Sequence, residues 1–321
     1  MNREGDIVIV WCRRLREQAD FLRKTYRLEE AQRYLQQCLD LMISQMGSSE
    51  LEVGYLLVQL GNVAYERGRV GEAEMHHSAG LVVLKKELDA QHPDLANCTN
   101  NLANDYFKQG KLAEALQLHR SAHHLYTKIY RGGSAVLANS LNNLSNVYME
   151  LGDYSKAQKY QRRALRMRVR VCESSDPALG NSYNNLGNVL FHLCKYERAA
   201  WCLRKALKVY RMSLPEGHLE VGNARNNLGT VMFLQGKLAQ ALKCHRQAFY
   251  IRKANLPRNH PDLANSLNNL GNDYLAMSNY PQAVAYLQQA VALFGEVLPA
   301  ESHQLLTAQL NLQQASEHLE V

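Results

Sequence analysis

The stretch "NNLSNVYMELGDYSKAQKYQRRAL", Asn142 to Leu165, decides how this chain folds. Its opening Asn-Asn-Leu recurs at Asn101-Leu102, Asn185-Leu186, Asn227-Leu228 and Asn269-Leu270, each copy 42 residues from the next. Degenerate copies sit at Gln59-Leu60 and Asn311-Leu312. An alanine keeps the same period at Ala31, Ala73, Ala115, Ala157, Ala199, Ala241 and Ala283. Self-similarity at a fixed period of this length is the signature of a stacked repeat array.

Small residues carry the same period. One position holds Gly61, Ala103, Ser145, Gly187, Gly229 and Gly271. A second holds Gly68, Gly110, Gly152 and Gly236, with Cys194 and Ser278 as exceptions. A third holds Gly80, Ala122, Ala164, Ala206, Ala248 and Ala290. The pattern predicts a helix–turn–helix unit. Helix A would run from Pro93 to Lys108 in one copy, stop at Gly110 in a positive-φ turn, and give way to helix B from Leu112 to Tyr130. Small residues let the two helices approach closely, and Leu102, Tyr106 and Leu116 fill the gaps. His92, Ser134, Asp176, His218, His260 and Ser302 hold the N-cap register. Serine and aspartate are good caps, and Pro93, Pro177 and Pro261 follow where proline suits the first helical position.

The small-x-x-Tyr, Gly-x-Tyr-x-x-Ala and second-alanine pattern resembles the tetratricopeptide repeat. The usual repeat of that family has about 34 residues. The longer period and the wording "HPDLANSLNNLGNDY" at His260 to Tyr274 resemble the kinesin light chain type, which nephrocystin-type scaffolds share. The resemblance covers nearly the whole chain. It implies an all-α fold, a right-handed superhelix of antiparallel helix pairs with the A helices on the inner wall. The organisation expected is a degenerate N-terminal repeat at 1–49, then repeats at 50–91, 92–133, 134–175, 176–217, 218–259 and 260–301, and a capping helix at 302–321. Gln309, Gln313, Glu317 and His318 would give that last helix the polar outer face a terminal element needs. A kinesin light chain carries a long heptad coiled coil before its repeats. Residues 1 to 49 show no sustained heptads, and the chain reads as either a free-standing array or a piece of something longer.

Composition agrees with a folded protein, being 46% apolar and 21% charged in 321 residues. The net charge of +7 permits acidic partners. Cys12, Cys38, Cys98, Cys172, Cys194, Cys202 and Cys244 form no Cys-x-x-Cys pair, and their odd number argues against a disulfide framework. The apolar run "DIVIVW" from Asp6 to Trp11 is too short for a membrane span or a signal segment. A cytoplasmic protein without membrane partner is expected. It should be a monomer, with Val8, Val10, Trp11 and Leu15 offering a surface for self-association.

The candidate binding residues come from helix A. Its groove-facing positions, by the resemblance, hold Asn97, Asn100 and Asn104, then Asn139, Asn142 and Asn146, then Asn181, Asn184 and Asn188. Asn223 and Asn226 follow with Thr230 third, and then Asn265, Asn268 and Asn272. Spacing i, i+3, i+7 places each triplet on one helical face without any appeal to a family. An amide offers two donors and one acceptor group and no charge. A ladder of amides can therefore bind the backbone of an extended peptide with little regard to its sequence. Phe107, Lys108, Met149, Glu150, Phe191, His192, Phe233 and Leu234 lie one turn on and would select side chains, with Lys108 and His192 suited to acidic ligand residues. The competing reading is that the asparagines bond one another and hold the stack. A fourth series, Asn101, Asn143, Asn185, Asn227 and Asn269, points to another face and suits an inter-repeat hydrogen bond.

Other chemistry is thinly represented. The run "KYQRRALRMRVRV" at Lys159 to Val171 lies on helix B and lacks the interleaved aromatics of a single-strand nucleic-acid platform, so a solvated outer face is expected and no nucleic-acid partner. His119 and His123 are one turn apart without a His-Glu-x-x-His carboxylate. His77, His119 and His245 share one repeat position, which argues for packing rather than metal. No phosphate loop or nucleophile elbow occurs, so neither a catalytic site nor a cofactor is expected. The function expected is a non-catalytic scaffold or adaptor that binds a linear peptide at micromolar strength, about −8 kcal/mol. The alternative is a structural or regulatory module, a cargo adaptor or sensor arm, in which the asparagines serve stability.

Overall fold

The computed structural model describes residues 3–44 and 50–319, with side chains from Trp11 onward. The chain divides into two compact units, residues 1–153 and 154–321. The first holds α1 (Arg3–Lys24), α2 (Leu28–Ser44), α3 (Glu50–Glu66), α4 (Val70–Glu87), α5 (Pro93–Lys108), α6 (Leu112–Ile129) and α7 (Ala135–Glu150). The second holds α8 (Tyr154–Val171), α9 (Pro177–His192), α10 (Tyr196–Ser213), α11 (Leu219–Leu234), α12 (Leu238–Asn255), α13 (Pro261–Ala276), α14 (Tyr280–Val297) and α15 (His303–Glu317). Odd-numbered helices from α3 are A helices and the following even ones are B helices. No strand occurs among the described residues. Within each unit every helix packs on the next, and successive A helices also touch, as α3 on α5 and α11 on α13.

Local chemistry sets the helix ends. Ser134, Asp176 and Ser302 cap α7, α9 and α15 through side-chain oxygens. Histidine caps α5, α11 and α13. Nδ1 of His92, His218 and His260 accepts from the backbone N–H two residues on, at 3.1–3.2 Å. A neutral imidazole has one acceptor nitrogen, which does the work of a serine oxygen there. The turn between A and B needs a left-handed residue. Gly68, Gly110, Gly152 and Gly236 have φ of 71° to 75°, and Cys194 and Ser278 are held at 55° and 57° in the same place. A Cβ at Gly110 would meet nothing within 4 Å, so the conformation alone favours glycine there. Cys194→Gly and Ser278→Gly should each stabilise the chain by about 0.5–1 kcal/mol, and Gly110→Ala should cost about 1 kcal/mol. Thermal melts of the full chain check the order.

The recurring alanines are where A and B helices meet, and Ala31, Ala73, Ala115, Ala157, Ala199, Ala241 and Ala283 are all fully buried. Glycine makes room opposite a bulky B-helix residue. A Cβ on Gly61 would lie 2.5 Å from the His77 ring, and one on Gly187 2.8 Å from Leu203. His77 and Leu203 occupy the same repeat position, as do His119, Gln161, His245 and Leu287. Two of these histidines meet a carboxylate from the following A helix. His77 Nδ1 lies 2.6 Å from Asp105 Oδ2, and His245 Nδ1 2.7 Å from Asp273 Oδ2. Both aspartates are wholly buried, and desolvation raises both carboxyls above the ordinary range although the histidines pull them down. His119 has Val147 at the register where His77 has Asp105, and burial alone lowers it to about 4. Its Nδ1–H donates instead to Asn100 Oδ1 at 3.2 Å. His123, one turn on, pairs with Ser140 Oγ at 2.8 Å, so the two histidines serve separate packing contacts.

Two expectations change. Leu15 is not part of a self-association surface. It is buried with Cys12, Ala19 and Leu22 in the core that α1 shares with α2 and α3, while Trp11 is exposed. Helix α1 turns its apolar stripe inward because α2 and α3 offer it Leu35, Leu39 and Leu56. Val8 and Val10 lie outside the described side chains. Within the basic run, Arg162, Arg163, Arg166 and Arg170 are exposed, but Arg168 is buried and donates to Ala178 O at 2.8 Å, joining α8 to the first turn of α9. All seven cysteines are free thiols. No helix among the described residues is long and apolar enough to cross a membrane.

Candidate functional site

The asparagines of the A helices are held by two sets of hydrogen bonds. The first set runs between repeats and uses the fourth series. In the first unit Asn101 Nδ2 donates to Asn62 Oδ1 at 2.9 Å and Asn143 Nδ2 to Asn100 Oδ1 at 3.0 Å. In the second unit Asn227 donates to Asn184 and Asn269 to Asn226, both at 3.1 Å, and Asn311 to Asn272 at 2.9 Å. The fourth series is thus the inter-repeat link, and its acceptors other than Asn62 are triplet residues.

The second set runs within a repeat, from the last turn of helix B to the first triplet residue. Tyr126 OH donates to Asn97 Oδ1 at 2.8 Å and Tyr210 OH to Asn181 Oδ1 at 2.6 Å. Arg252 Nη2 donates to Asn223 Oδ1 at 2.9 Å, and its Nη1 reaches Asn226 Oδ1, Asp262 O and Ser266 Oγ. Burial raises the Tyr126 and Tyr210 phenols and lowers the Arg252 guanidinium. Sequence reading passed over this position, which holds Leu84, Tyr126, Arg168, Tyr210, Arg252 and Phe294. The signal was available as tyrosine and arginine recurring in a register that is otherwise apolar. Phe294 has no donor, and Asn265 makes no hydrogen bond among the described residues.

These bonds orient the amides. Arginine only donates, so the Asn223 and Asn226 oxygens must face Arg252, and Asn269 must then donate to Asn226. Asn62, Asn97, Asn100, Asn181, Asn184, Asn223, Asn226 and Asn272 all engage through Oδ1. Apart from a long 3.5 Å contact from Asn97 to Asp94, no bond from an Nδ2 group of these residues is seen among the described residues. Asn104, Asn146 and Asn188 are half-buried and make no hydrogen bond there. Asn139 and Asn142 are engaged, Asn139 exposed and Asn142 half-buried. The Asn268 oxygen is buried without a partner, because Asn311 has turned to Asn272. Thr230 donates back to Asn226 O and faces His245 Nε2.

The selecting residues are placed unevenly. Lys108 is exposed at the end of α5. His192 is exposed at the end of α9, its ring stacked 4.8 Å from Tyr154 and edge-on to Phe191. Phe107, Met149, Phe191 and Phe233 are half-buried, whereas Glu150 and Leu234 are exposed. No group of three His, Cys, Asp or Glu side chains able to hold a metal is found among the described residues.

The repeat period, the helix pairs and the amide rungs point one way, and a family model decides it. The tetratricopeptide repeat model matches residues 52–128, 136–212 and 220–296. The chain belongs to the tetratricopeptide repeat family. Several solved structures share its fold. BtubC (BKLC) from P. vanneervenii is 22% identical with a TM-score of 0.57, over 79% of this chain and 94% of that one. A putative kinesin light chain from Podosopora anserina is 20% identical with a TM-score of 0.55, over 64% and 97%. The tetratricopeptide repeat sensor protein of the signal transduction ATPases with numerous domains, from Pyrococcus horikoshii, is 16% identical with a TM-score of 0.68, over 95% of this chain and 44% of that one. No curated protein sequence matches the chain.

Proposed function

We propose that this tetratricopeptide repeat protein is a non-catalytic scaffold whose A-helix face binds an extended segment of a partner protein. One observation carries the reading. Asn181, Asn184, Asn223 and Asn226 are engaged through their oxygens, which leaves their Nδ2 groups as donors on half-buried side chains. A face rich in uncharged donors complements acceptors, and an extended chain carries a carbonyl at every residue. Carboxylates are stronger acceptors than amide carbonyls, and Lys108 and His192 one turn beyond the triplets favour acidic side chains in the ligand. Stack and ligand do not compete, because each uses a different end of the amide.

Isosteric replacement separates the two uses. Asn184→Asp with Asn226→Asp keeps an oxygen for Asn227 and Asn269 and replaces the donor by an acceptor. Capture of a displayed peptide library should fall at least about tenfold while the melting temperature holds within a few degrees, each tenfold being about 1.4 kcal/mol. The alanine pair should lose both, because each lost internal bond costs about 1 kcal/mol. Unchanged capture by the aspartate pair would overturn the reading.

A further inference from the structure

Two registers of the repeat, one on helix A and one on helix B, are kept small. They hold Gly54 with Gly80, Ala96 with Ala122 and Gly222 with Ala248, and glycine or alanine fills both registers in the other pairs too. The two registers face each other where the helices cross. A Cβ on Gly80 would lie 3.2 Å from Gly54 O, and one on Gly222 3.8 Å from Ala248 O. In the pair α1 and α2 the same registers hold Cys12 and Cys38. Both are buried, at 1% and 0% exposure. Cys12 Sγ–H donates to Cys38 O at 3.8 Å, and Cys38 Sγ–H donates to Cys12 O at 3.7 Å. Each sulfur therefore lies over the other residue's carbonyl, and the Cys38 thiol also meets the Cys12 thiol. Packing alone does not ask for sulfur here, since alanine fills both registers at Ala96 and Ala122.

A disulfide needs Cβ atoms about 3.5–4.5 Å apart, and a crossing built for glycine and alanine brings them that close. We propose that Cys12 and Cys38 form a reversible disulfide that locks α1 onto α2, with a low-molecular-weight disulfide such as oxidised glutathione as the oxidant. Turning the two Cα–Cβ bonds exchanges the sulfur–carbonyl contacts for a sulfur–sulfur bond. The thiolate of one cysteine attacks a sulfur of the oxidant, forms a mixed disulfide and expels one glutathione thiolate. The thiolate of the other attacks the protein sulfur of that mixed disulfide, closes the Cys12–Cys38 bond and expels the second. The cysteines give up two electrons and two protons, and the oxidant takes both and leaves as two thiols. The packed pair is inert, because burial first and the Cys12 thiol next push Cys38 up to about 12. Exchange runs when α1 lifts from α2, which bares both sulfurs at once. The ion pairs Arg16–Glu52 and Arg23–Glu66 join α1 to α3, and such partly exposed pairs oppose that opening only weakly. One bond uses two of the seven cysteines and leaves the others as thiols, so it is a switch and no framework.

The test is the full chain equilibrated with excess oxidised glutathione just below its melting onset, then unfolded, alkylated, digested and weighed. Peptides joined through Cys12 and Cys38 should appear, and dithiothreitol should return both cysteines as alkylated thiols. The oxidised chain should melt about 5–10 °C above the reduced one, because the bond ties residues 26 positions apart in the unfolded chain. Amide exchange in α1 and α2 should slow on oxidation. Cys12→Ala places in this register the residue that Ala96 already is. It should melt within a few degrees of the reduced wild type and lose the response to oxidant. The joined peptides come from the wild type, so the test stands even should the variant not fold. Two results would overturn the proposal. One is recovery of both Cys12 and Cys38 as alkylated thiols after oxidation, whatever exposed Cys194 has taken up. The other is a Cys12–Cys38 bond that leaves the melting temperature unchanged or lowers it, since the fold would then not accommodate it.

Discussion

His77→Leu should destabilise the first unit by about 3–5 kcal/mol, while His77→Leu combined with Asp105→Val should cost little. The single change strands Asp105, whose carboxyl is wholly buried and whose other oxygen already lacks a partner. Without the imidazole nothing offsets the desolvation that already raises that carboxyl. Asp105→Val should be the milder single change, because it leaves a neutral histidine of the kind His119 already is. The chain displays most of this cycle in its own repeats. His77 with Asp105 and His245 with Asp273 are the intact pair, His119 with Val147 the half-removed one, and Leu203 with Val231 the apolar exchange, packed within one core. Leucine with aspartate never occurs. Leu203 also lies over Gly187 as His77 lies over Gly61, so leucine fits beneath that helix. Thermal melts should place the His77→Leu midpoint on the order of 10 °C below wild type, with the double variant near it. A leucine single variant no worse than the valine one would refute the argument.

Acidification should destabilise the chain through His119. Its folded-state value of about 4 lies below the ordinary 6.5, and burial without any charged partner is the cause. The unfolded chain therefore takes up a proton at higher pH than the folded one. The stability held by neutral His119 is complete above about 6.5 and is lost as the pH falls toward 4, amounting to about 3 kcal/mol. Asp105 and Asp273 have the opposite sign. Their raised values make burial costly above the ordinary carboxylate range and relieve that cost in acid. His119→Gln isolates the histidine, because Gln161 already occupies the same repeat position, fully buried and donating to Ser182 O at 3.2 Å. The difference in melting temperature between wild type and His119→Gln, followed from pH 7 to 4, should grow steadily in favour of the glutamine variant. A pH-independent difference would remove His119 as the cause.

Much of the candidate face was legible from residue order, and its use was not. Spacing put Asn181, Asn184 and Asn188 on one side of α9, since a helix fixes the direction of every Cβ. Spacing also set Asn227 apart from Asn226, and the structure joins each to a neighbour one repeat away. Which end of an amide is occupied was not legible. It depends on Tyr210 or Arg252 arriving from the end of helix B 29 residues later. Leu15 looked like surface because only its own helix was in view.

The sequence by itself determined the repeat, the helix pairs and their ends. Period, cap residues and left-handed turn positions are local properties, settled by a few neighbouring φ and ψ angles and one side chain. Only the tertiary structure decided which amide oxygens are occupied and which histidines meet a carboxylate. Those features depend on residues 28 to 43 positions apart meeting in space. Such meetings are set by how one helix pair packs on the next, which no single repeat contains.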